Sequence, residues 1–500
     1  MKNHFLISLL FLLALPSTTQ AKADPLAWND IHAYQRGIVN ELLPHPGEQW
    51  DQETAFDFVR RHGTRSSTYL CVGMLLRDRQ NDRDHAQRIL DELLKLQIRK
   101  PDHKTHGIWW GGMEKKRIDQ NWREFVGVGM IVIREYFRGK IDPKLVQGID
   151  IGLRKAAEGA SRRDVSPYYT NIALMSAFLL NYVGHFTEQE WIDQGIRKAR
   201  DVYAIYQEHN TFPEYNSPTY YGVNLMGIAL WREVGLSPEF RKWGEKLEKA
   251  VWREVGQVYH ADFKNLCGPY YRAYGMDMTE YTALQGLQIA FALNDPKRAP
   301  VPKSTQNRSF EWAYAPMYSI LGVNVPQDAM IHLKSFQQKR HLRRQAARRN
   351  ETLKITAHLE KQWMVGASTG MDRRWEQHCP ATLHWRMPNG RLAWLLVHGE
   401  SGGEVKYDRG KMQIFIPHPD SAHPLKLLVH LAGLPLPAVK TKRWNLPGMQ
   451  LNIETNLEGP AIAETVDNKF GPVTRITWDV PDDLATKKPA LILTPRIQSK

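Results

Sequence analysis

Two kinds of helix alternate along the first 300 residues, and this alternation restricts the possible folds more than any other feature of the sequence. Apolar residues recur at helical spacing from about residue 52 to 295. Segments such as 171–183 and 222–231 are apolar on nearly all sides, whereas 188–207 and 238–259 each carry a charged face. A helix that is apolar all round is buried, and a two-faced helix lies at the surface. The sequence therefore predicts stacked helical hairpins that close into an (α/α) toroid or coil as a solenoid.

The predicted helices cover most of this region. We expect them at 54–76, 83–98, 121–136, 143–159, 170–183, 187–208, 218–234, 238–258 and 277–293.

Short apolar segments separated by Gly, Pro, Asn and Asp replace the helical spacing after about residue 350. They favour strands at 353–368, 381–388, 392–399, 411–419, 425–433 and 489–497. A chain of 500 residues is expected to contain more than one domain. The expected fold class is α+β, with a toroid at 24–300, a linker with a basic helix at 301–350 and an antiparallel β-sandwich at 351–500.

The N-terminal segment has the pattern of a secretory signal peptide. Lys2 precedes an apolar run over 5–15, and small residues end the segment at 21–23. The run is too short to span a bilayer as a mature helix, and a short N-terminal anchor is the alternative. We therefore expect residues 1–23 to be removed and the mature protein to be periplasmic or secreted, with no integral membrane span.

Charge and cysteine content restrict the partners. The formal net charge of +14 suits an acidic partner such as nucleic acid, anionic lipid or an anionic polysaccharide, and the expected export argues against nucleic acid. Much of the excess lies at 334–349, where a solvated helix or linker is favoured over a ligand-binding patch. Three widely spaced cysteines, Cys71, Cys267 and Cys379, support neither a disulfide framework nor a cysteine zinc site, although one disulfide stays open.

Polar and aromatic residues cluster where the predicted inner helices begin. These starts fall near Arg65, Asn121, Asn171, Ser217 and Asp277, roughly fifty residues apart. If the inner helices run parallel, the clusters meet at one end of the bundle and form a binding site. The candidate substrate-binding residues are Trp109, Trp110, Asp119, Asn121, Tyr169, Glu214, Tyr215, Asn216, Tyr221, Arg272, Tyr274 and Asp277.

The segment 212–221 is a helix entrance. Ser217 is a good N-cap, and Pro218 suits the first helical position because it lacks an N–H. Tyr220 then lies in the first turn, where the positive end of the helix dipole is expected to lower its pKa. The alternative is a packing tyrosine whose hydroxyl is satisfied by a neighbour.

Other candidates have comparable alternatives. Asn171 begins the most apolar helix and is either a ligand-binding amide or a cap. Arg272 is suited to binding a carboxylate, whereas Asp277 either caps its helix, which is favoured, or orients a catalytic group. His378 and His384 in the β-rich part are suited to a base, although strand histidines are more often structural.

Together these features resemble the heparinase II/III-like and alginate-lyase-like polysaccharide lyases. The resemblance lies in the order of a helical toroid and a β-rich domain, and in the S-P-x-Y entrance at 217–220. It implies β-elimination with Asn171, Tyr220 and His378 as the catalytic residues. The chain departs from the family in having Ile172 after the amide, where the family usually has histidine.

The residue types suit this reaction, which requires neutralising a uronic acid carboxylate, removing the C5 proton and protonating the leaving oxygen. Asn171 would neutralise the carboxylate with help from Asn216 or Arg272. Tyr220 would act as acid, base or both, and His378 is the alternative base. No cofactor or metal is needed, while a structural cation in the β-rich part stays open.

Two other functions stay open. One is a glycoside hydrolase that uses two carboxylates among Asp119, Glu214 and Asp277. The other is a non-catalytic carbohydrate-binding protein with Trp and Tyr platforms.

Overall fold

The computed structural model of the chain describes residues 27–44, 54–79, 81–305, 309–347, 352–370, 375–418, 424–436, 442–457, 462–468 and 470–498. The predicted signal peptide lies outside these residues. Within them, no helix has both the length and the apolar character needed to cross a bilayer.

The first two thirds of the described chain are helical. The helices are α1 (Ala33–Leu42), α2 (Ala55–Arg77), α3 (Asp82–Lys95), α4 (Trp122–Phe137), α5 (Pro143–Arg163), α6 (Thr170–Gly184), α7 (Gln189–His209), α8 (Tyr220–Val234), α9 (Pro238–Val258), α10 (Leu284–Leu293), α11 (Ser309–Trp312), α12 (Ala315–Leu321) and α13 (Gln327–Lys334).

The apolar helices contact one another in sequence. The helix α2 packs on α4, α4 on α6, α6 on α8 and α8 on α10, while α12 contacts both α8 and α2. The amphipathic helices α3, α5, α7 and α9 each pack against the preceding member of this series. The alternation of buried and two-faced helices in the sequence therefore predicted the packing correctly.

Two predicted helices differ from the observed ones. Gly63 interrupts α2 with φ 74° and ψ 163°, so a new helical segment begins at Thr64. The last predicted helix begins at Leu284 instead of 277, because Asp277 accepts hydrogen bonds from Thr279 in a local turn. A two-residue hairpin, β1 (Tyr259–His260) with β2 (Asn265–Leu266), also lies within the helical region.

The C-terminal part consists of two sheets, and all their strand pairs are antiparallel in the described residues. The larger sheet has the order β13-β14-β10-β7-β6-β5-β4-β3, and the smaller has the order β11-β12-β15-β9-β8. The strands are β3 (Arg340–Ala347), β4 (Thr352–Glu360), β5 (Trp363–Thr369), β6 (Ala381–Arg386), β7 (Leu392–Val397), β8 (Glu404–Asp408), β9 (Lys411–Phe415), β10 (Leu425–His430), β11 (Arg443–Leu446), β12 (Met449–Thr455), β13 (Ile462–Asn468), β14 (Gly471–Trp478) and β15 (Leu491–Ile497).

The larger sheet lies between two cores. One face, with Leu383 and Leu395, shares a core with Met412 and Leu491 of the smaller sheet. Other residues of the larger sheet, such as Leu359, belong to the core of the helical part. The helices and the sheets are thus joined by apolar packing.

The prediction of a basic helix after residue 334 is wrong. Residues 340–347 form β3, which pairs along its whole length with β4. The Arg340 guanidinium donates to the carbonyl oxygens of Gly256 and Tyr259, and Arg344 forms an ion pair of 2.9 Å with Glu254. These arginines face the helical part, so the strand lacks the apolar alternation by which strands are recognised.

The predicted linker contains further elements. The helices α11–α13 lie within 301–350, and α12 packs on α2 and α8. The domain boundaries at 300 and 350 stay a prediction.

Candidate functional site

The starts of the buried helices meet around one cavity of about 600 Å³. The break in α2 and the first turns of α4, α6 and α8 contribute to its wall, together with the segment before α10. The volume is within the usual range for a small-ligand pocket. Seven predicted site residues line it: Asp119, Asn121, Tyr169, Asn171, Tyr220, Arg272 and Tyr274.

Ser217 fixes the entrance of α8. Its hydroxyl oxygen accepts a hydrogen bond from the Tyr220 N–H at 3.2 Å, and its hydroxyl donates to the Arg272 carbonyl oxygen at 2.6 Å. The helix begins at Tyr220 with Thr219 at its N-cap position, so Ser217 binds the Tyr220 N–H from two residues further upstream than predicted, and Pro218 precedes the helix. Because Ser217 also binds the chain at Arg272, it brings Tyr220 and Arg272 to the same side of the cavity.

Tyr220, Arg272 and Tyr274 form one contact group. The Arg272 guanidinium carbon lies 3.9 Å from the centre of the Tyr220 ring. The hydroxyl oxygens of Tyr220 and Tyr274 are 3.0 Å apart, and Arg272 donates to the Tyr274 hydroxyl at 3.3 Å. Burial opposes the charge of Arg272, but the neighbouring Tyr220 and Glu214 raise its pKa above the usual value. Arg272 is therefore a fixed cation beside both phenols.

The predicted lowering of the Tyr220 pKa is wrong in direction. Burial raises the pKa of this phenol, and the nearby Tyr274 raises it further, while Arg272 acts in the opposite direction. Desolvation of a phenolate thus outweighs both the helix terminus and the cation. Tyr220 is a neutral phenol, and so a proton donor, at neutral pH.

Asn171 is held at the cavity wall by Glu214. The buried Glu214 carboxylate accepts hydrogen bonds from the Asn171 side chain at 2.7 Å and from its backbone N–H at 3.3 Å. The other polar atom of the amide, Oδ1, is buried and has no hydrogen-bond partner in the described part of the chain. The amide nitrogen carries two hydrogens and uses one of them for Glu214, whereas Oδ1 can only accept a hydrogen bond.

Glu214 also approaches Arg272. The carboxylate oxygen lies 3.5 Å from an Arg272 nitrogen. Burial raises the pKa of Glu214, whereas Arg272 and Asn171 lower it. Glu214 does not line the cavity itself, so the structure gives it a positioning role between the amide and the guanidinium.

Asp119, Asn121 and Tyr169 form a second polar group on the wall. The Asp119 carboxylate accepts from the Asn121 N–H at 2.9 Å, and the Asn121 amide donates to the Tyr169 hydroxyl at 3.0 Å. Arg163 donates to the Asn121 amide oxygen at 2.8 Å. These bonds give the start of α4 a fixed shape.

The predicted tryptophan platforms lie elsewhere. Trp109 is fully buried in the helical core, and Trp110 packs against that core without lining the cavity. Trp122 lines the cavity instead, with the Arg117 guanidinium carbon 5.0 Å from its ring centre.

Three further residues of the entrance segment are structural. Tyr215 packs against Ala346 and Leu353 of the larger sheet. The Asn216 amide donates to the Cys267 carbonyl oxygen at 2.7 Å, and the Tyr221 hydroxyl donates to buried Glu254 at 3.0 Å. All three side chains are buried, because this segment is packed between α9 and the sheet.

Asp277 and the predicted histidines also lie outside the cavity wall. Asp277 is satisfied by its own turn with Thr279. His378 is buried, with its ring 6.5 Å from that of Tyr271. His384 is buried with a ring nitrogen 2.9 Å from the Met276 carbonyl oxygen, as the structural alternative for a strand histidine predicted.

The sequence indicated a helix start near Arg65, but no residue of α2 or α11 was among the predicted site residues, although His62, Thr64, Arg65 and Glu311 line the cavity. Burial and the adjacent Arg61 lower the pKa of His62 to about 4, so the imidazole is neutral at neutral pH. The Arg61 Nε donates to His62 Nε2 at 3.1 Å, which occupies the lone pair that a base would use. Gly63 could have indicated this part of the cavity, because a glycine within an apolar helical pattern indicates a possible break in the helix.

Comparison with known proteins identifies a family. The model described as "Domain of unknown function (DUF8769)" matches residues 43–323, which is more than half of the chain, so the chain belongs to this family. No curated protein matches the sequence.

Solved structures of polysaccharide lyases match over most of the chain at low identity. The Streptomyces coelicolor A3 chondroitin AC lyase is 11% identical, with 92% of this chain and 78% of that chain covered and a TM-score of 0.43. A heparan sulfate lyase mutant from Pedobacter heparinus is 9% identical, covering 93% and 83%, with a TM-score of 0.33. Heparinase III is 10% identical, covering 86% and 76%, with a TM-score of 0.39.

Proposed function

We propose that this member of the family is a polysaccharide lyase that cleaves a uronic-acid-containing polysaccharide by β-elimination. One observation carries the proposal: the amide of Asn171, the guanidinium of Arg272 and the phenol of Tyr220 line one cavity, and Glu214 connects the first two. These are the three chemical groups that an elimination next to a carboxylate needs.

The first task is to neutralise the substrate carboxylate. Arg272 supplies a positive charge, and the Asn171 amide nitrogen supplies an N–H donor, because its hydrogen bond to Glu214 uses only one of its two hydrogens. A carboxylate bound between them withdraws electron density from C5 and makes the C5 proton more acidic.

The second task is proton transfer. The C5–H bond breaks and its proton goes to the phenolate form of Tyr220, while the electron pair is delocalised onto the bound carboxyl group. The pair then forms the C4–C5 double bond as the C4–O bond breaks, and the leaving oxygen takes the proton from Tyr220. The phenolate regenerated in this way is stabilised by the positive charge of Arg272, whose guanidinium carbon is 3.9 Å from the ring centre, and by the Tyr274 hydroxyl, 3.0 Å from the Tyr220 oxygen. His378 has no part in this route, because it lies outside the cavity wall.

The proposal extends to fold and location. We propose that the helices form an (α/α) toroid, supported by the contacts that lead from α2 through α4, α6 and α8 to α12 and back to α2. We propose that the two sheets form a β-sandwich, supported by their shared core. Export to the periplasm or medium is consistent with the signal-like N-terminus, and the net charge of +14 suits an anionic polysaccharide.

A glycoside hydrolase is less well supported. Of the three carboxylates from which such an enzyme was predicted to take two, Asp119 lines the cavity, whereas Glu214 is buried behind Asn171 and Asp277 is engaged in its own turn. Glu311, a further carboxylate on the wall, interacts electrostatically with Arg65. A binding protein for anionic carbohydrates would also use a cation such as Arg272, but it would not need the Tyr220 hydroxyl, so Tyr220→Phe would leave its binding intact.

A screen of the purified chain against uronic-acid polysaccharides tests the proposal. Elimination creates a conjugated double bond in the new non-reducing end, so ultraviolet absorbance is expected to rise with at least one polymer. New reducing ends without this absorbance would indicate hydrolysis and would refute the lyase.

A further inference from the structure

The break in α2 places the start of a helical segment on the cavity wall. Gly63 has φ 74°, and the helix resumes at Thr64 and continues to Arg77. The first-turn N–H groups of a helix have no partners within it, and this end carries partial positive charge. Gly63, Thr64, Arg65 and Ser66 all line the cavity.

Thr64 supplies an independent sign of a ligand. Its side chain is completely buried from bulk solvent at the wall, and its hydroxyl has no hydrogen-bond partner in the ranges that the structure describes. Leaving a buried hydroxyl unsatisfied costs about 1–3 kcal/mol. A bound acceptor at this position would remove that cost.

Arg65 lies beside Thr64 and is held by aromatic rings. Its guanidinium carbon is 5.3 Å from the ring centre of Phe125, 5.5 Å from that of Tyr314 and 6.0 Å from that of Phe310. Among the described residues, no carboxylate forms an ion pair with it. Glu311 attracts it only at longer range, so the charge of Arg65 is fixed in place without a direct counter-ion.

We propose that Thr64 and Arg65 form a second anion-binding subsite, which holds another acidic group of the same polysaccharide while Asn171 and Arg272 hold the carboxylate of the sugar that reacts. The helices α2 and α8 are separated by α4 and α6 on one side and by α12 on the other. The two subsites therefore face the cavity from different sides, as needed for two neighbouring sugars. This subsite rests on the proposed function, and it requires a substrate that carries acidic groups on two neighbouring sugars.

Binding without turnover tests the subsite. Thr64→Val and Arg65→Gln are each introduced into a Tyr220→Phe chain, and affinity for a sulfated uronic-acid oligosaccharide is measured by titration calorimetry. Thr64→Val keeps the side-chain volume and is expected to weaken binding about fivefold or more. Arg65→Gln is expected to weaken it about tenfold or more, because a charge-assisted hydrogen bond is lost.

The control is Arg253→Gln on α9, which removes one charge from an exposed ion pair with Asp328 and should leave affinity unchanged. Desulfated and carboxyl-reduced versions of the oligosaccharide identify the group that is bound, because the effect of Arg65→Gln disappears when that group is missing.

Folded Thr64→Val and Arg65→Gln chains with undiminished affinity would overturn the subsite, and if Arg65→Gln does not fold, the Thr64→Val result decides. If Thr64→Val and Arg65→Gln weaken binding but the wild-type chain forms no double bond in any polysaccharide, the lyase is contradicted and the subsite stands. If the Tyr220→Phe chain binds no uronic-acid oligosaccharide, both are contradicted.

Discussion

Arg272 lies over the Tyr220 ring, with 3.9 Å between the guanidinium carbon and the ring centre, and this pair joins the start of α8 to the segment before α10. The same guanidinium is 3.5 Å from Glu214, which holds Asn171. One cation thus connects the proposed proton-transfer group to the amide.

Tyr220→Phe is expected to reduce kcat about a hundredfold to ten-thousandfold, because it removes the group that transfers both protons. Substrate affinity should change little, since the ring and Arg272 stay. Steady-state kinetics and calorimetry measure the two effects separately. Tyr203→Phe on α7, where the ring stacks on Trp243, is the matched control and should keep full activity. Full activity of Tyr220→Phe would remove Tyr220 from the mechanism.

The rate should rise with pH. The form of Tyr220 that takes the C5 proton is the phenolate, and burial together with Tyr274 raises the pKa of this group above the usual value despite Arg272. The reactive fraction therefore increases about tenfold per pH unit through the neutral and mildly alkaline range. A profile of kcat/KM between about pH 7 and 9 measures this. A rate that falls over this range would contradict Tyr220 as the base.

Arg344→Met should destabilise the protein by about 3 kcal/mol or more, because it leaves the buried Glu254 carboxylate without its cation. The adjacent Arg343 is the matched control: its side chain is 70% exposed, against 15% for Arg344. Arg343→Met should change stability by no more than about 0.5 kcal/mol. Denaturant unfolding measures both, and equal effects would show that the Arg344 ion pair contributes nothing specific.

Gly63→Ala should destabilise the chain by about 1–3 kcal/mol, because a positive φ disfavours a side chain. An added Cβ would also lie 3.0 Å from the Gly111 carbonyl oxygen. Gly37→Ala in α1 is the control, since its Cβ meets nothing within 4 Å and alanine favours a helix by about 0.5–1 kcal/mol. Thermal unfolding of the two variants should shift in opposite directions, and a shift of both to higher temperature would contradict the account of the α2 break.

Local patterns predicted much of the fold and part of the site. Apolar spacing located the helices, and the polar clusters at their starts correctly predicted that Asn121, Asn171 and Tyr220 meet. Sequence did not reveal burial, which reverses the expected pKa shift of Tyr220 and removes Trp109 from the cavity. It also misassigned β3, because the inward arginines of that strand bind carbonyl oxygens and Glu254, contacts that only the folded chain shows.

The masses of the products test the central claim most directly. A size-defined uronic-acid oligosaccharide is incubated with the wild-type chain, and the fragments are weighed by mass spectrometry. Elimination predicts that the two fragments together have the mass of the substrate, with one fragment unsaturated. Fragments that together exceed it by one water molecule would contradict the lyase.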